Sequence, residues 1–130
     1  MNPTTVNHAI APRATNFWVK LLAMDRQFGG AIGEFILANF QERQLFYTTN
    51  HPNLEVLAML MEQLMRRIGV DEPFPRNKFV DQLRRLQVPV HPKVAQALRV
   101  GWANETTKYF YDGSRLTWEE YTRSYIAHYG

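Results

Sequence analysis

The sequence predicts an all-α protein, a compact bundle of five to six short helices around one central apolar helix. Three observations predict this fold class. Residues 54–68 form a long apolar stretch, most other segments repeat apolar residues at helical spacing, and short proline- or glycine-containing connections separate them. A chain of 130 residues with 45% hydrophobic residues is large enough to bury its own core as a single domain.

The central helix is predicted over residues 54–68. Its main apolar stripe follows three-and-four spacing and consists of Leu54, Leu57, Met61, Leu64 and Ile68. Further apolar side chains at Val56, Leu60 and Met65 widen that stripe, which is typical of a helix with neighbours on several sides. Asn53 is a favourable N-cap, and Gly69 supplies a residue that readily ends a helix in the left-handed conformation.

Before the central helix, we expect a flexible N-terminal arm over residues 1–14 and a single helical domain over residues 15–130. Within that domain, helices are predicted over residues 17–28 and 31–46. Gly29, Gly30 and Gly33 lie between or within them, and the missing side chains favour a close helix crossing. A phosphate-binding glycine loop is the alternative, but the preceding strand and the Lys-Ser/Thr ending are absent from the sequence.

After the central helix, a short amphipathic helix is predicted over residues 76–87 and another over residues 93–103. Residues 105–111 are expected to continue that helix, and a small β-hairpin around Asp112-Gly113 is the alternative. The last helix begins at a capping box formed by Thr117 and Glu120 and ends near His128.

Several kinds of site are excluded or disfavoured by composition. The chain has no cysteine, which excludes disulfides, thiolate zinc sites and cysteine nucleophiles. The histidines are scattered and never four apart, so neither a metal site nor a cofactor is predicted. No apolar run is long enough to span a membrane and the first residues do not resemble a secretory signal, so we expect a cytoplasmic protein.

The best candidate binding surface is a basic window over residues 66–85. This window contains six cations and three anions, so it carries the whole formal excess of +3. The candidate partner-binding residues of this basic face are Arg66, Arg67, Arg76, Lys78, Arg84 and Arg85. They could contact nucleic-acid phosphates or an acidic protein. The alternative is ordinary solvated charge, with Glu62 pairing to Arg66 one helical turn away.

A second candidate surface is aromatic and lies on the C-terminal helix. It consists of Trp118, Tyr121, Tyr125 and Tyr129, which share one wide stripe and either dock onto the core or face a partner. The same helix carries Glu120, Ser124 and His128 at successive turns. Three turns of one helix do not provide the geometry of a catalytic triad, so no catalytic residue is predicted.

The sequence therefore predicts that the protein is not an enzyme. We expect a small helical protein that docks onto another macromolecule as an accessory subunit, adaptor or inhibitor, with another protein as the first candidate partner. Nucleic-acid binding through the basic window, as a small subunit of a ribonucleoprotein or DNA complex, is the alternative. An enzyme with a site assembled from distant residues is the third hypothesis, and a homo-oligomer is compatible with all three.

Overall fold

A computed structural model describes the backbone of residues 3–130 and the side chains of residues 16–130. Over the described residues the chain is mostly helical, with one two-stranded antiparallel sheet. The helices are α1 (Pro3–Phe28), α2 (Ile32–Asn39), α3 (Leu54–Arg67), α4 (Pro92–Ala97) and α5 (Trp118–Tyr129). The strands are β1 (Tyr109–Tyr111) and β2 (Ser114–Leu116), and two 3₁₀ turns lie at Arg76–Lys78 and Gln82–Arg85.

The ends of α3 follow the local signals in its sequence. The Asn53 side chain accepts a hydrogen bond from the Val56 N–H at 3.0 Å, which satisfies one of the free donors of the first turn. Gly69 has a φ of 84°, and the Val70 N–H beyond it donates to the Met65 carbonyl. The predicted N-cap and the predicted glycine stop are both confirmed.

The preference for continued helix over residues 105–111 is wrong, and the alternative hairpin is confirmed. Tyr109 pairs with Leu116 and Tyr111 with Ser114, which leaves Asp112-Gly113 as a two-residue turn. Both turn residues have positive φ (46° and 75°), as a type I′ hairpin turn requires.

The predicted helix over residues 76–87 is also wrong. This segment forms two 3₁₀ turns separated by residues 79–81. Asp81 Oδ2 accepts hydrogen bonds from the Tyr47 hydroxyl and from the Leu54 N–H, each at 2.9 Å. These long-range bonds hold Asp81 at the N-terminus of α3, where its φ of -73° and ψ of 87° are not those of a helix.

The described part of the molecule packs around a small core. Ile36, Leu45 and Val56 form the buried cluster. Trp18 and Phe40 flank this cluster, and the centroids of their two rings lie 4.8 Å apart. The helix α1 packs against α2 and α4, and α2 packs against α3. α1 begins at Pro3, earlier than the predicted start, and the side chains of the expected arm lie outside the described residues.

The structure does not confirm a compact bundle around α3. Val56 and Ala58 on this helix are buried, but three of its large apolar residues are 41–50% exposed. These residues are Leu60, Met61 and Leu64. The exposed side of α3 faces a cleft, which is described next.

Candidate functional site

A cleft opens where α1, α2 and α3 meet, and we call it the three-helix cleft. One end of it, the apolar end, encloses about 340 Å³. Its apolar lining consists of Leu21, Met24 and Phe28 from α1, Ile32 from α2, and Leu60 and Leu64 from α3. Because Met24 and Phe28 are each 54% exposed and Leu64 is 50% exposed, this apolar surface is accessible to a ligand or partner.

The other end of the three-helix cleft is polar. It encloses about 370 Å³ and is lined by Gly29, Gly30, Ala31, Gln63, Arg66 and Arg67. Gly30, Gln63 and Arg67 line both ends, so the two cavities adjoin along these residues. Gln63 and Arg67 are four residues apart on α3 and therefore project to the same side of the helix.

The glycines between α1 and α2 allow this geometry. Gly29 ends α1 with a φ of 65°, and the Gly30 N–H donates to the Asp25 carbonyl at 3.0 Å. Gly33 is buried, and a Cβ there would lie 2.8 Å from Asp25 Oδ2 and 3.0 Å from the Leu21 backbone oxygen. The predicted close crossing of the two helices is therefore present at Gly33.

Asp25 holds α1 and α2 together beside the cleft. Its Oδ2 accepts a hydrogen bond from the Glu34 N–H at 2.9 Å, in the first turn of α2. A carboxylate at this position interacts favourably with the positive end of the α2 dipole. Asp25 also lines the apolar end, so it brings a carboxylate to the cleft.

The two arginines at the polar end are available to a ligand. The predicted pair between Glu62 and Arg66 is wrong, because Glu62 Oε1 accepts from the Phe74 N–H at 3.0 Å and pairs with Arg76 at 3.3 Å. Within the described part of the chain, neither Arg66 nor Arg67 forms an ion pair. Their charges add positive potential to the polar end and also compensate the C-terminus of α3.

The other residues of the predicted basic face lie in different settings. Arg76 pairs with Glu62, and the Arg84 guanidinium lies 5.2 Å from the Phe110 ring centroid. Lys78 and Arg85 end separate 3₁₀ turns and do not lie on one helix. Nucleic-acid binding by these six residues stays a prediction.

The four residues of the predicted aromatic face lie in two different environments. Trp118 lies 4.3 Å from the His91 ring and Tyr121 lies 4.7 Å from the Tyr111 ring, both measured between centroids. Tyr125 and Tyr129 contact each other at 4.9 Å and are 52% and 64% exposed. The first pair thus docks α5 onto the domain, and the second pair faces solvent.

The acid–hydroxyl–imidazole line on α5 is not assembled into one site. Glu120 accepts from the Thr117 N–H at 2.8 Å in the predicted capping box, and these hydrogen bonds lower the pKa of its carboxyl. Ser124 and His128 instead line an open cavity of about 430 Å³ beside Asp112.

Neither a metal-binding cluster nor a membrane-spanning helix is found among the described residues. Residues 16–130 contain no group of three His, Asp or Glu side chains that could hold a metal ion. Across the same described part, none of the helices has the length and apolar character needed to cross a bilayer.

The surroundings of the Tyr47 hydroxyl raise its pKa. Burial and the hydrogen bond from its hydroxyl to Asp81 raise the pKa of Tyr47 to about 12. The phenol therefore remains protonated at neutral pH and acts as a hydrogen-bond donor. Its role is structural, since it joins the loop before α3 to the segment around Asp81.

Comparison with known proteins identifies one family. The family model described as "WcbI: Polysaccharide biosynthesis enzyme WcbI" matches residues 4–73, which is more than half of the 130 residues. No curated protein and no solved structure matches the chain. The prediction that the protein is not an enzyme is wrong, because the matching family is named for an enzyme.

Proposed function

The chain belongs to the family of the polysaccharide biosynthesis enzyme WcbI, and from this membership we propose that it acts in an enzymatic step of polysaccharide biosynthesis and binds its ligand in the three-helix cleft. One observation carries the choice of site. The lining of both ends of the cleft, from Leu21 to Arg67, comes entirely from the matched residues 4–73.

The composition of the cleft supports this proposal. Ligand sites are commonly concave, mostly apolar and equipped with a few polar groups that orient the ligand. The three-helix cleft combines an apolar lining from three helices with the Gln63 amide and the guanidinium groups of Arg66 and Arg67. These polar groups can donate hydrogen bonds to ligand oxygens, so they bind and orient the ligand.

Asp25 is the residue of the cleft that could accept a proton. Its Oδ2 is held by the Glu34 N–H, and its Oδ1 lies on the side of Gly30, 3.8 Å from where a Cβ would project. A carboxylate oriented by one backbone donor can take a proton from a hydroxyl of a bound ligand through its second oxygen. We therefore assign the general-base role in the proposed reaction to Asp25.

A ligand titration of the full chain tests the site. In ¹⁵N–¹H spectra recorded with sugar phosphates, nucleotide sugars and alkyl phosphates, we expect the largest shifts at the amides of Gly29, Gly30 and Gln63. A Cβ at position 30 would lie 2.7 Å from Gln63 Oε1, at the end of a flexible side chain. Gly30→Ala should therefore displace that amide and weaken binding roughly threefold, the cost of about one ordinary hydrogen bond.

Gly101→Ala is the matched control for this titration. A Cβ at position 101 would make an ordinary 3.5 Å contact with the Gln41 backbone oxygen, and neither residue lines the three-helix cleft. The control should bind as the unmodified chain does. A ligand that binds and shifts the amides around Ser124 and His128, but not those of the cleft, would refute the assignment of the site.

Docking onto another protein is a second candidate function, because large apolar side chains remain exposed on the same face. Phe28, Leu64 and Ile68 are 54%, 50% and 73% exposed. A partner that covered them would bury α3 more fully and complete the predicted bundle around it. Binding measured by calorimetry, with loss of affinity in Ile68→Asp, would support this function beside the enzymatic one.

A further inference from the structure

The two ends of the three-helix cleft differ sharply in chemistry although they adjoin. At the apolar end, α1 and α3 contribute Met24, Phe28, Leu60 and Leu64, while the guanidinium groups of Arg66 and Arg67 lie at the polar end. Because Gly30, Gln63 and Arg67 line both ends, one ligand can occupy both. A ligand that complements both ends carries an anionic group on an apolar chain.

The polar end favours a phosphate as the anionic group. A guanidinium offers paired donors in a planar arrangement that matches two phosphate oxygens. Arg66 and Arg67 are free of ion pairs within the described residues, and the Gln63 amide adds a further donor. Gly29 and Gly30 have no side chains, so a ligand can approach the backbone closely.

Among the residues that line the two ends of the cleft, Asp25 is the carboxylate. Asp25 lines the apolar end and is absent from the lining of the polar end. One of its oxygens is engaged by the Glu34 N–H. Glu62, one turn before Arg66 on α3, is engaged by Arg76 and by the Phe74 N–H. The guanidinium groups of Arg66 and Arg67 are therefore not paired with a carboxylate within the described residues.

The apolar end favours a hydrocarbon chain over a sugar ring. Among Leu21, Phe28 and Leu60, away from the polar groups of Asp25 and Gln63, a hydroxyl would lose its hydration without gaining a hydrogen-bond partner. A methylene chain in the same place releases ordered water from both surfaces, and each buried methylene contributes roughly fourfold in affinity.

We propose that the three-helix cleft binds the phosphate or diphosphate monoester of a long-chain alcohol. The phosphate lies against Arg66, Arg67 and Gln63, and the hydrocarbon chain lies along Met24 and Leu64. This inference rests on the proposed function, since it names the ligand class of the same cleft. It adds a lipid-linked phosphate as the chemical class that the enzymatic step would use.

Calorimetric titration of the full chain with octyl phosphate and decyl phosphate, both below their micellar concentrations, tests this inference. Decyl phosphate should bind roughly fifteenfold more tightly than octyl phosphate, because it buries two more methylenes. Octanol and inorganic phosphate should each bind more weakly than octyl phosphate, because each lacks one half of the ligand.

Variants separate the two halves of the site. Arg67→Gln should weaken decyl phosphate roughly tenfold, since it removes a charge-assisted hydrogen bond, and Arg67→Lys should restore part of the loss. Octanol has no anionic group, so its affinity should fall much less than that of decyl phosphate in Arg67→Gln. Arg85→Gln removes an exposed arginine outside the cleft and is the matched control. Unchanged spectra away from the cleft will show that each variant is folded.

The outcomes distinguish this inference from the proposed function. Equal affinities for octyl and decyl phosphate would overturn the proposal that the cleft binds a lipid phosphate. Equal losses of affinity in Arg67→Gln and Arg85→Gln would overturn it as well. If UDP-glucose shifts the cleft amides and alkyl phosphates do not, the lipid phosphate fails and the proposed function stands. If no probe shifts those amides, both fail. A dimer in light scattering with the cleft amides protected from exchange would overturn the inference in favour of a second copy of the chain.

Discussion

Gly33→Ala should destabilise the protein, although alanine is the better helix former. A Cβ at this position would lie 2.8 Å from Asp25 Oδ2, 2.9 Å from Leu21 Cγ and 3.0 Å from the Leu21 backbone oxygen. Because one of these atoms belongs to the α1 backbone, a rotamer change alone cannot relieve the contact. Either α1 and α2 separate, or Asp25 loses its hydrogen bond to the Glu34 N–H.

The magnitude follows from these alternatives. Overpacking a close contact costs about 1–3 kcal/mol, and loss of a capping interaction costs about 1 kcal/mol. The gain in helix propensity returns at most about 1 kcal/mol. Subtracting this gain from the cost of overpacking leaves a net destabilisation of up to about 2 kcal/mol, which lowers the melting temperature of a chain of this size by up to roughly 10 °C.

Thermal and urea unfolding followed by circular dichroism measure this change. Gly101→Ala is again the control, because its Cβ would meet the Gln41 oxygen at an ordinary 3.5 Å. Its melting temperature should stay close to that of the unmodified chain. An equal or higher melting temperature for Gly33→Ala would refute the close helix crossing, and with it the geometry of the three-helix cleft.

Three further predictions concern single residues. Asn53→Ala removes the N-cap of α3 and should lower the free energy of unfolding in urea by about 1 kcal/mol. Arg99 has a φ of 55° at the end of α4, so Arg99→Gly should raise the melting temperature by relieving roughly 1 kcal/mol of backbone strain. The pKa of Tyr47 is about 12 in the folded protein against an ordinary value of 10. Its contribution to stability is complete below pH 10 and is lost as the pH rises toward 12, so Tyr47→Phe should make the unfolding free energy less dependent on pH across that window.

Features that depend on neighbouring residues in the chain could be predicted from the sequence. The Asn53 cap, the Gly69 stop and the Thr117–Glu120 capping box each require only a few consecutive residues, and all three are present. The Asp112-Gly113 turn carried a strong local signal as well. The residues that flank this turn alternate poorly, which disfavours strands, yet the two positive φ angles favour the hairpin over a helix.

Features that depend on distant partners could not be predicted in this way. The apolar spacing of residues 76–87 fits a helix, but Tyr47 and Leu54 donate hydrogen bonds to the Asp81 carboxylate, and the backbone at Asp81 is not helical. Likewise, the apolar character of α3 on several sides predicted burial on several sides. Leu60 and Leu64 are instead 42% and 50% exposed, because they face the three-helix cleft.

The three-helix cleft as a whole is not predicted by the sequence, although Arg66 and Arg67 belong to the predicted basic face, because each of its residues has a sufficient local explanation. Gly33 permits a helix crossing, and Arg66 and Arg67 compensate the C-terminus of α3. A usable signal was nevertheless present on α3 itself. Gln63 and Arg67 lie four residues apart beside the apolar stripe, so a polar pair borders the same face that was expected to be buried. A guanidinium beside an apolar face is expensive to cover with hydrocarbon alone, and a ligand that is itself apolar at one end and anionic at the other satisfies both surfaces at once.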